Sequence, residues 1–275
     1  MILRGGKPIS RRKEYVVLLV DTHLHLDMEP FDQDRQQVLK RALESGIGYM
    51  ITIGIDMTSS LKALQLTRQY DFVYSTIGYH PHHATDMDTQ TLNELSRLVS
   101  EPKIVAWGEI GLDFFHRHSP PEIQREVFRQ QLEMAIDFDL PVIIHVRDAH
   151  EEILDILIKT GKGRHKGVIH CFSGDYALAM VLIDMGYYIS IPGIVTYKNA
   201  FQIQDVAARI PLENMLLETD APYLAPVPKR GKRNEPSFVT YTAKKVAQLR
   251  GITVQEVCRQ TTDNAKTLFG LPDSL

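Results

Sequence analysis

The sequence predicts a single closed (β/α)8 barrel over residues 15–275, and three observations carry that reading. Eight short runs rich in Val and Ile alternate with amphipathic stretches, and near-continuous apolar runs are what strands buried on both faces look like. No linker divides the 275 residues, a length close to the roughly 250 residues of such a barrel. The turn after the first run reads Asp21-Thr22-His23-Leu24-His25, where an open doubly wound sheet would usually place a glycine-rich turn.

The predicted strands are 15–21, 49–54, 73–79, 104–110, 141–146, 167–171, 187–192 and 215–219. Between the first two, a helix over 32–45 stops at Gly46, a residue suited to a helix C-terminus. After the fourth strand, Ser119-Pro120-Pro121-Glu122 reads as an N-cap, a first-turn proline and a capping-box glutamate. Ile123, Val127, Phe128, Leu132, Ala135 and Ile136 then mark one helix face. Thr253 with Glu256 opens a last helix, with Val254, Val257, Cys258, Thr261, Ala265 and Leu268 inward. Residues 1–14, with Gly5-Gly6, Pro8 and the basic Arg11-Arg12-Lys13, read as a loose extension rather than a nucleic-acid-binding arm.

Composition narrows the function classes. At 44% hydrophobic and 24% charged, the chain is globular rather than disordered or fibrous. A formal net charge of -3 provides no global basic field, so polyanion binding requires a local patch. Cys171 and Cys258 cannot build a disulfide framework and form no metal-binding pair, which makes a reducing cytoplasm the expected location. The first apolar run ends at Asp21, too soon for a membrane span or a secretory signal. No obligatory protein partner is inferred.

Candidate chemistry collects at strand C-termini. His23 and His25 are spaced so that both imidazoles of an extended chain reach one side. His80, Glu109, His145, His170 and Asp220 fall at the ends of the third, fourth, fifth, sixth and eighth runs. A polar group there is costly unless paired or metal-bound, and that end of a barrel is where its enzymes build active sites. Taken singly, each is as readily a satisfied buried side chain; falling together at one end, they point to a site. Four of these imidazoles with the two carboxylates suit Zn, Mn, Ni or Co better than Ca, with Mg also admitted. Six ligands suffice for two divalent metal ions, and Glu109, from a central strand, is the candidate bridge.

The runs VDTHLHLD (20–27), GYHPH (78–82), GEIGLD (108–113), HVRDA (145–149), HCFSG (170–174), LLETDAPYL (216–224) and RGKRNEP (230–236) resemble the TatD-type metal-dependent deoxyribonuclease family. The resemblance spans nearly everything beyond the first fourteen residues and departs at no ligand position. It implies an amidohydrolase-like TIM barrel that hydrolyses nucleic acid phosphodiesters, with an exonuclease preference. It implies that His23, His25, Glu109 and Asp220 hold one metal and that Glu109, His145 and His170 hold the second. His80 is similar to the family's additional active-site histidine.

Two such ions acidify a shared water and neutralise charge on a phosphate oxygen. Asp220 is the candidate general base. His80 or Arg147 can serve the leaving oxygen, and Arg147 reads equally as a phosphate clamp or as an ion pair with Asp148 or Glu109. The loop 226–236 carries Lys229, Arg230, Lys232 and Arg233, with Arg230 and Arg233 expected to track substrate phosphates and Asn234 to assist. Phe114, Phe115, Phe172 and Tyr223 are candidates for base stacking, although packing is the commoner role. His82, His83, His116, His118, His150 and His165 read as surface or supporting residues, and Cys171 as packed on the face opposite His170.

The expected partner is therefore nucleic acid, DNA before RNA. Two other classes compete: an amide or ester hydrolase of the same barrel type, including an aminoacyl-tRNA deacylase, and a non-catalytic nucleic-acid-binding barrel. Several amide hydrolases bridge their metals with a carbamylated lysine late in the fourth strand. Here that strand ends with Glu109 and has Lys103 only at its start.

Overall fold

The computed structural model describes residues 18–161 and 166–273. The extension over 1–14, the start of the first predicted strand and His165 lie outside the described residues. Eight parallel strands follow one another in a single sheet: β1 (Leu19–Leu24), β2 (Ile47–Thr52), β3 (Val73–Ile77), β4 (Ile104–Asp113), β5 (Val142–Arg147), β6 (Gly167–Ile169), β7 (Tyr187–Ile191) and β8 (Met215–Leu217). The helices between them are α1 (Arg35–Glu44), α2 (Met57–Gln69), α3 (Thr89–Leu98), α4 (Pro121–Asp137), α5 (His150–Gly161), α6 (Tyr176–Asp184) and α7 (Phe201–Arg209). Two more, α8 (Val239–Arg250) and α9 (Val254–Phe269), follow β8.

The sheet closes through its first and last strands. The N–H of Asp220 donates to the His23 carbonyl at 2.8 Å, and that of His25 donates to the Ala221 carbonyl at 2.8 Å. Below them the buried Asp21 accepts from the Thr219 N–H at 2.9 Å and hydroxyl at 2.6 Å. Burial pushes its carboxyl up to about 8 despite those bonds. Val20, Ile51, Val105, Ile143, Val168 and Leu216 gather with Leu268 and Phe269 of α9 in one cluster. The Thr262 hydroxyl of α9 donates to the Leu18 carbonyl, just before β1. The end of α9 thus packs against the strand N-termini, and the C-terminal mouth stays open.

Strand boundaries differ from the sequence expectation where the site begins. β1 runs on to Leu24, so His23 lies inside the strand and His25 just past it. β4 continues to Asp113, which places Glu109 within the strand rather than at its end. Its pairing with β5 slips between Trp107 and Ile110. A Cβ on Gly111, at φ +142, would lie 2.0 Å from the His145 carbonyl oxygen, so only glycine lets the two strands approach there.

Helix termini are also corrected in one place. α4 starts at Pro121 with Pro120 before it and no side-chain cap. The Ser119 hydroxyl donates to the His82 carbonyl instead. The buried face of α4 includes Gln124 and Gln131, which hold backbone. Gln124 brackets Asp113, accepting its N–H at 2.8 Å and donating to its carbonyl at 3.0 Å. The Gln131 amide does the same at Tyr79. The Thr253–Glu256 capping box on α9 forms as expected.

Candidate metal centre

The C-terminal mouth opens on a cleft of about 550 Å³, ample for a nucleotide-sized ligand. Glu109 stands at its floor, 3% exposed. Its Oε2 lies 3.3 Å from His23 Nε2 and 4.0 Å from His25 Nε2. Its Oε1 lies 3.0 Å from His145 Nδ1, 3.1 Å from His170 Nε2 and 3.4 Å from His80 Nε2. Asp220 Oδ1 closes the first group, 3.5 Å from His25 Nε2 and 3.8 Å from His23 Nε2. One carboxylate thus offers each of its oxygens to a separate cluster of imidazoles. All six side chains expected to hold metal converge, with His80 beside them.

Electrostatics binds this set together. Burial alone would keep Glu109 neutral, but the surrounding imidazoles, His170 foremost, and the His145 hydrogen bond hold its carboxyl well below the usual range. Burial would likewise depress His170, yet Glu218 and Glu109 raise it well above an ordinary imidazole. The same contest lifts His145 through Asp113 and Glu109, and His25 through Asp220. His23 is lowered by burial and by the neighbouring His170, whose ring it stacks on at 3.7 Å.

The residues fit divalent cations. Both ring nitrogens of His23, and Nδ1 of His25, are buried without a hydrogen-bond partner, a cost rarely left uncompensated. Four imidazoles and two carboxylates are a donor set that zinc-like ions take.

Behind His170 and His145, two of the three imidazoles facing Oε1, stand two further carboxylates that sequence reasoning missed. Glu218 Oε1 is 3.4 Å from His170 Nδ1 and accepts the Cys171 N–H at 2.6 Å, while its Oε2 accepts from Ser190 at 2.7 Å. Asp113 Oδ2 is 3.2 Å from His145 Nε2. Carboxylates behind metal-binding histidines fix ring orientation and raise basicity. Both sit inside the motifs GEIGLD and LLETDAPYL, and that adjacency was the only available signal.

His80 Nδ1 accepts the N–H of His82 at 3.1 Å, which leaves the proton of a neutral ring on Nε2. Burial pushes its pKa down to about 3, so it stays neutral at physiological pH.

The expected substrate contacts separate. Arg147 is exposed and stacks over Phe115 at 4.9 Å, free of an ion pair with Asp148 or Glu109. Arg230 is exposed and lies over the Tyr197 ring at 4.6 Å. Arg233 instead grips Asp34 with two bonds of 2.7 and 2.8 Å. Asn234 is fully buried and donates to the carbonyls of Thr219 and Tyr223, so its amide holds the chain after Asp220 rather than facing the cleft. Among the aromatics, Phe115 and Tyr223 are more than half exposed while Phe172 is buried. The exposed Phe201, absent from the sequence reading, also lines the cleft. Cys171 lines it too, because β6 ends at Ile169 and Cys171 turns to φ +45, so alternation no longer applies.

A closed eight-stranded barrel with imidazoles and carboxylates clustered at its strand C-termini defines a metal-dependent hydrolase of the TIM-barrel class. The TatD related DNase family model matches residues 20–270. The chain belongs to that family. It is 42% identical over 252 residues to the uncharacterized metal-dependent hydrolase YabD of Bacillus subtilis, covering 92% of this chain and 99% of that one. It is 39% identical over 259 residues to the 3'-5' ssDNA/RNA exonuclease TatD of Erwinia amylovora, covering 92% and 100%. The crystal structure of the TatD homologue YJJV from Escherichia coli superposes with a TM-score of 0.88 at 33% identity, covering 94% and 100%.

Proposed function

We propose that this protein is a two-metal exonuclease that removes nucleotides from the 3′ end of single-stranded DNA or RNA. The carrying observation is Glu109, whose two oxygens face two separate imidazole groups. In this reading His23, His25, Glu109 and Asp220 hold one divalent ion, and Glu109, His145 and His170 the other. When bound, such ions acidify water and neutralise phosphate charge. Asp220 accepts the proton of the attacking water. Burial favours its neutral form, but the His25 hydrogen bond and the charges of His170 and His23 keep it below its ordinary range, hence ionised and ready. His80, neutral with Nε2 protonated, donates a hydrogen bond to the leaving oxygen. Arg147 and Arg230 meet flanking phosphates, and Tyr223 and Phe115 offer stacking surfaces.

Polarity and substrate class are supported by the relatives named 3'-5' ssDNA/RNA exonuclease. The carbamylated-lysine alternative loses support from Lys103, whose ammonium donates to the carbonyls of Thr67, Tyr70 and Asp71. No helix among the described residues is long and apolar enough to cross a membrane. The free cysteines Cys171 and Cys258 suit the reducing cytoplasm proposed as its location.

Digestion of end-labelled single-stranded DNA and RNA tests the reading. With Mg2+ or Mn2+, a 3′ label should be released at once, a 5′ label should persist on a shortening ladder, and EDTA should stop both. Release from the 5′ end would overturn the polarity. Cleavage of a carboxylic ester with nucleic acid left intact would move the chain to the ester-hydrolase reading.

The two loop arginines should behave differently. Arg230→Ala is expected to raise KM and lower the salt slope of binding by about one, because its guanidinium is free for phosphate. Arg233→Ala should instead lower thermal stability, since it ties the loop to Asp34. Salt titrations of KM beside melting curves distinguish them, and identical effects from both would contradict the assignment.

A further inference from the structure

One nitrogen-rich cluster in the cleft enters the proposed chemistry only through Asp113, which stands behind His145. Asp113, the last residue of β4, is 1% exposed, and three imidazoles converge on its Oδ2. His82 Nε2 lies at 2.8 Å, His116 Nδ1 at 2.9 Å and His145 Nε2 at 3.2 Å. Oδ1 is already taken by the N–H groups of Phe115 and His116, at 3.1 and 2.8 Å. A carboxylate oxygen offers about two acceptor positions, so three ring donors oversubscribe Oδ2.

Replacing two of the donors by a cation resolves the excess. His145 keeps its Nε2–H on one position of Oδ2. The other goes to the ion, and His82 Nε2 and His116 Nδ1 turn from donors into ligands. One ligand atom each from His82, Asp113 and His116 lie within 4.8 Å of one another. The His118 ring packs 4.5 Å from that of His82 and lies 6.0 Å from that of His116, a further imidazole beside the group but outside it.

We propose that His82, Asp113 and His116 form a third cation site, distinct from the pair at Glu109, selective for a divalent transition metal such as zinc. Two imidazoles and one carboxylate are a zinc-type donor set, and hard ions such as Mg2+ take mostly oxygen. The site is rigid on one side and open on the other. Gln124 brackets the Asp113 backbone, whereas His82 and His116 side chains are 28% and 48% exposed, which admits the ion and completing waters. The inference stands on this cluster alone, whatever the enzyme cleaves.

Zinc binding tests it. The full chain, stripped with a chelator, is dialysed against Zn2+ and its bound zinc counted by mass spectrometry, in the wild type and in the His82→Ala/His116→Ala variant. The variant should hold one zinc fewer per chain. His116→Ala alone, at a half-exposed position that does not endanger folding, should weaken the corresponding zinc step at least about tenfold. The same comparison in a Glu109→Gln background separates the sites: the zinc lost to the histidine changes should be present there too, even with the central pair disabled. Equal zinc counts and affinities with and without His82 and His116 would overturn the proposal and leave the cluster a hydrogen-bond network.

Discussion

Glu109→Gln is expected to abolish hydrolysis and to strip the metal centre of most of its divalent ions. The change keeps the size of the side chain but leaves one acceptor oxygen where two are used. If that oxygen stays with His145 and His170, now 3.0 and 3.1 Å from Oε1, the amide nitrogen faces His23. The opposite rotamer turns it against His145 and His170. Either way one imidazole group loses its anion and meets a competing donor. Outer-shell changes at metal sites cost about 10–100-fold, and loss of a shared ligand should exceed that range. The residue is also a buried counter-charge of His170, so some loss of stability accompanies the change. Metal analysis and turnover on labelled DNA check this together. Full activity with an unchanged metal count would remove Glu109 from the centre.

The parts of the site that could be read from the sequence share one property. His23, His25, His80, Glu109, His145, His170 and Asp220 are polar residues set in or just after apolar runs, and the end at which they cluster follows from strand direction alone. What remained hidden depends on side-chain direction and on distant partners. Glu218 and Asp220 are two residues apart, yet Glu218 points behind His170 while Asp220 faces His25. β8 ends at Leu217 and Asp220 takes φ +57, so strand alternation cannot sort them. Asp113 was hidden by the extra length of β4, which stays paired with β5 as far as Asp113 and Arg147. Arg233 looked like its neighbour Arg230 because its partner Asp34 lies far away in the chain. Ser119 resembled a cap until its hydroxyl was spoken for by the His82 carbonyl. The barrel survives all these local errors because it rests on burial of eight apolar runs, a signal summed over many residues.

Asp220→Asn should lower kcat by about 10²–10⁴-fold, the usual contribution of a positioned acid or base, with the melting temperature close to that of the wild type. The fold has little reason to object. Asp220 sits at φ +57, a conformation that asparagine adopts as readily as aspartate. The contacts that close the barrel here are made by its backbone, whose N–H donates to His23 and whose carbonyl accepts from Tyr223. The amide oxygen can still face His25, so a ligand of reduced charge is kept. What disappears is the basic oxygen, and with it the acceptor for the proton of water. A purely structural role predicts the reverse pattern, a large fall in melting temperature with turnover preserved. Measuring kcat at saturating divalent metal alongside a melting curve distinguishes the two, because added metal offsets weakened ligation but cannot restore a missing base.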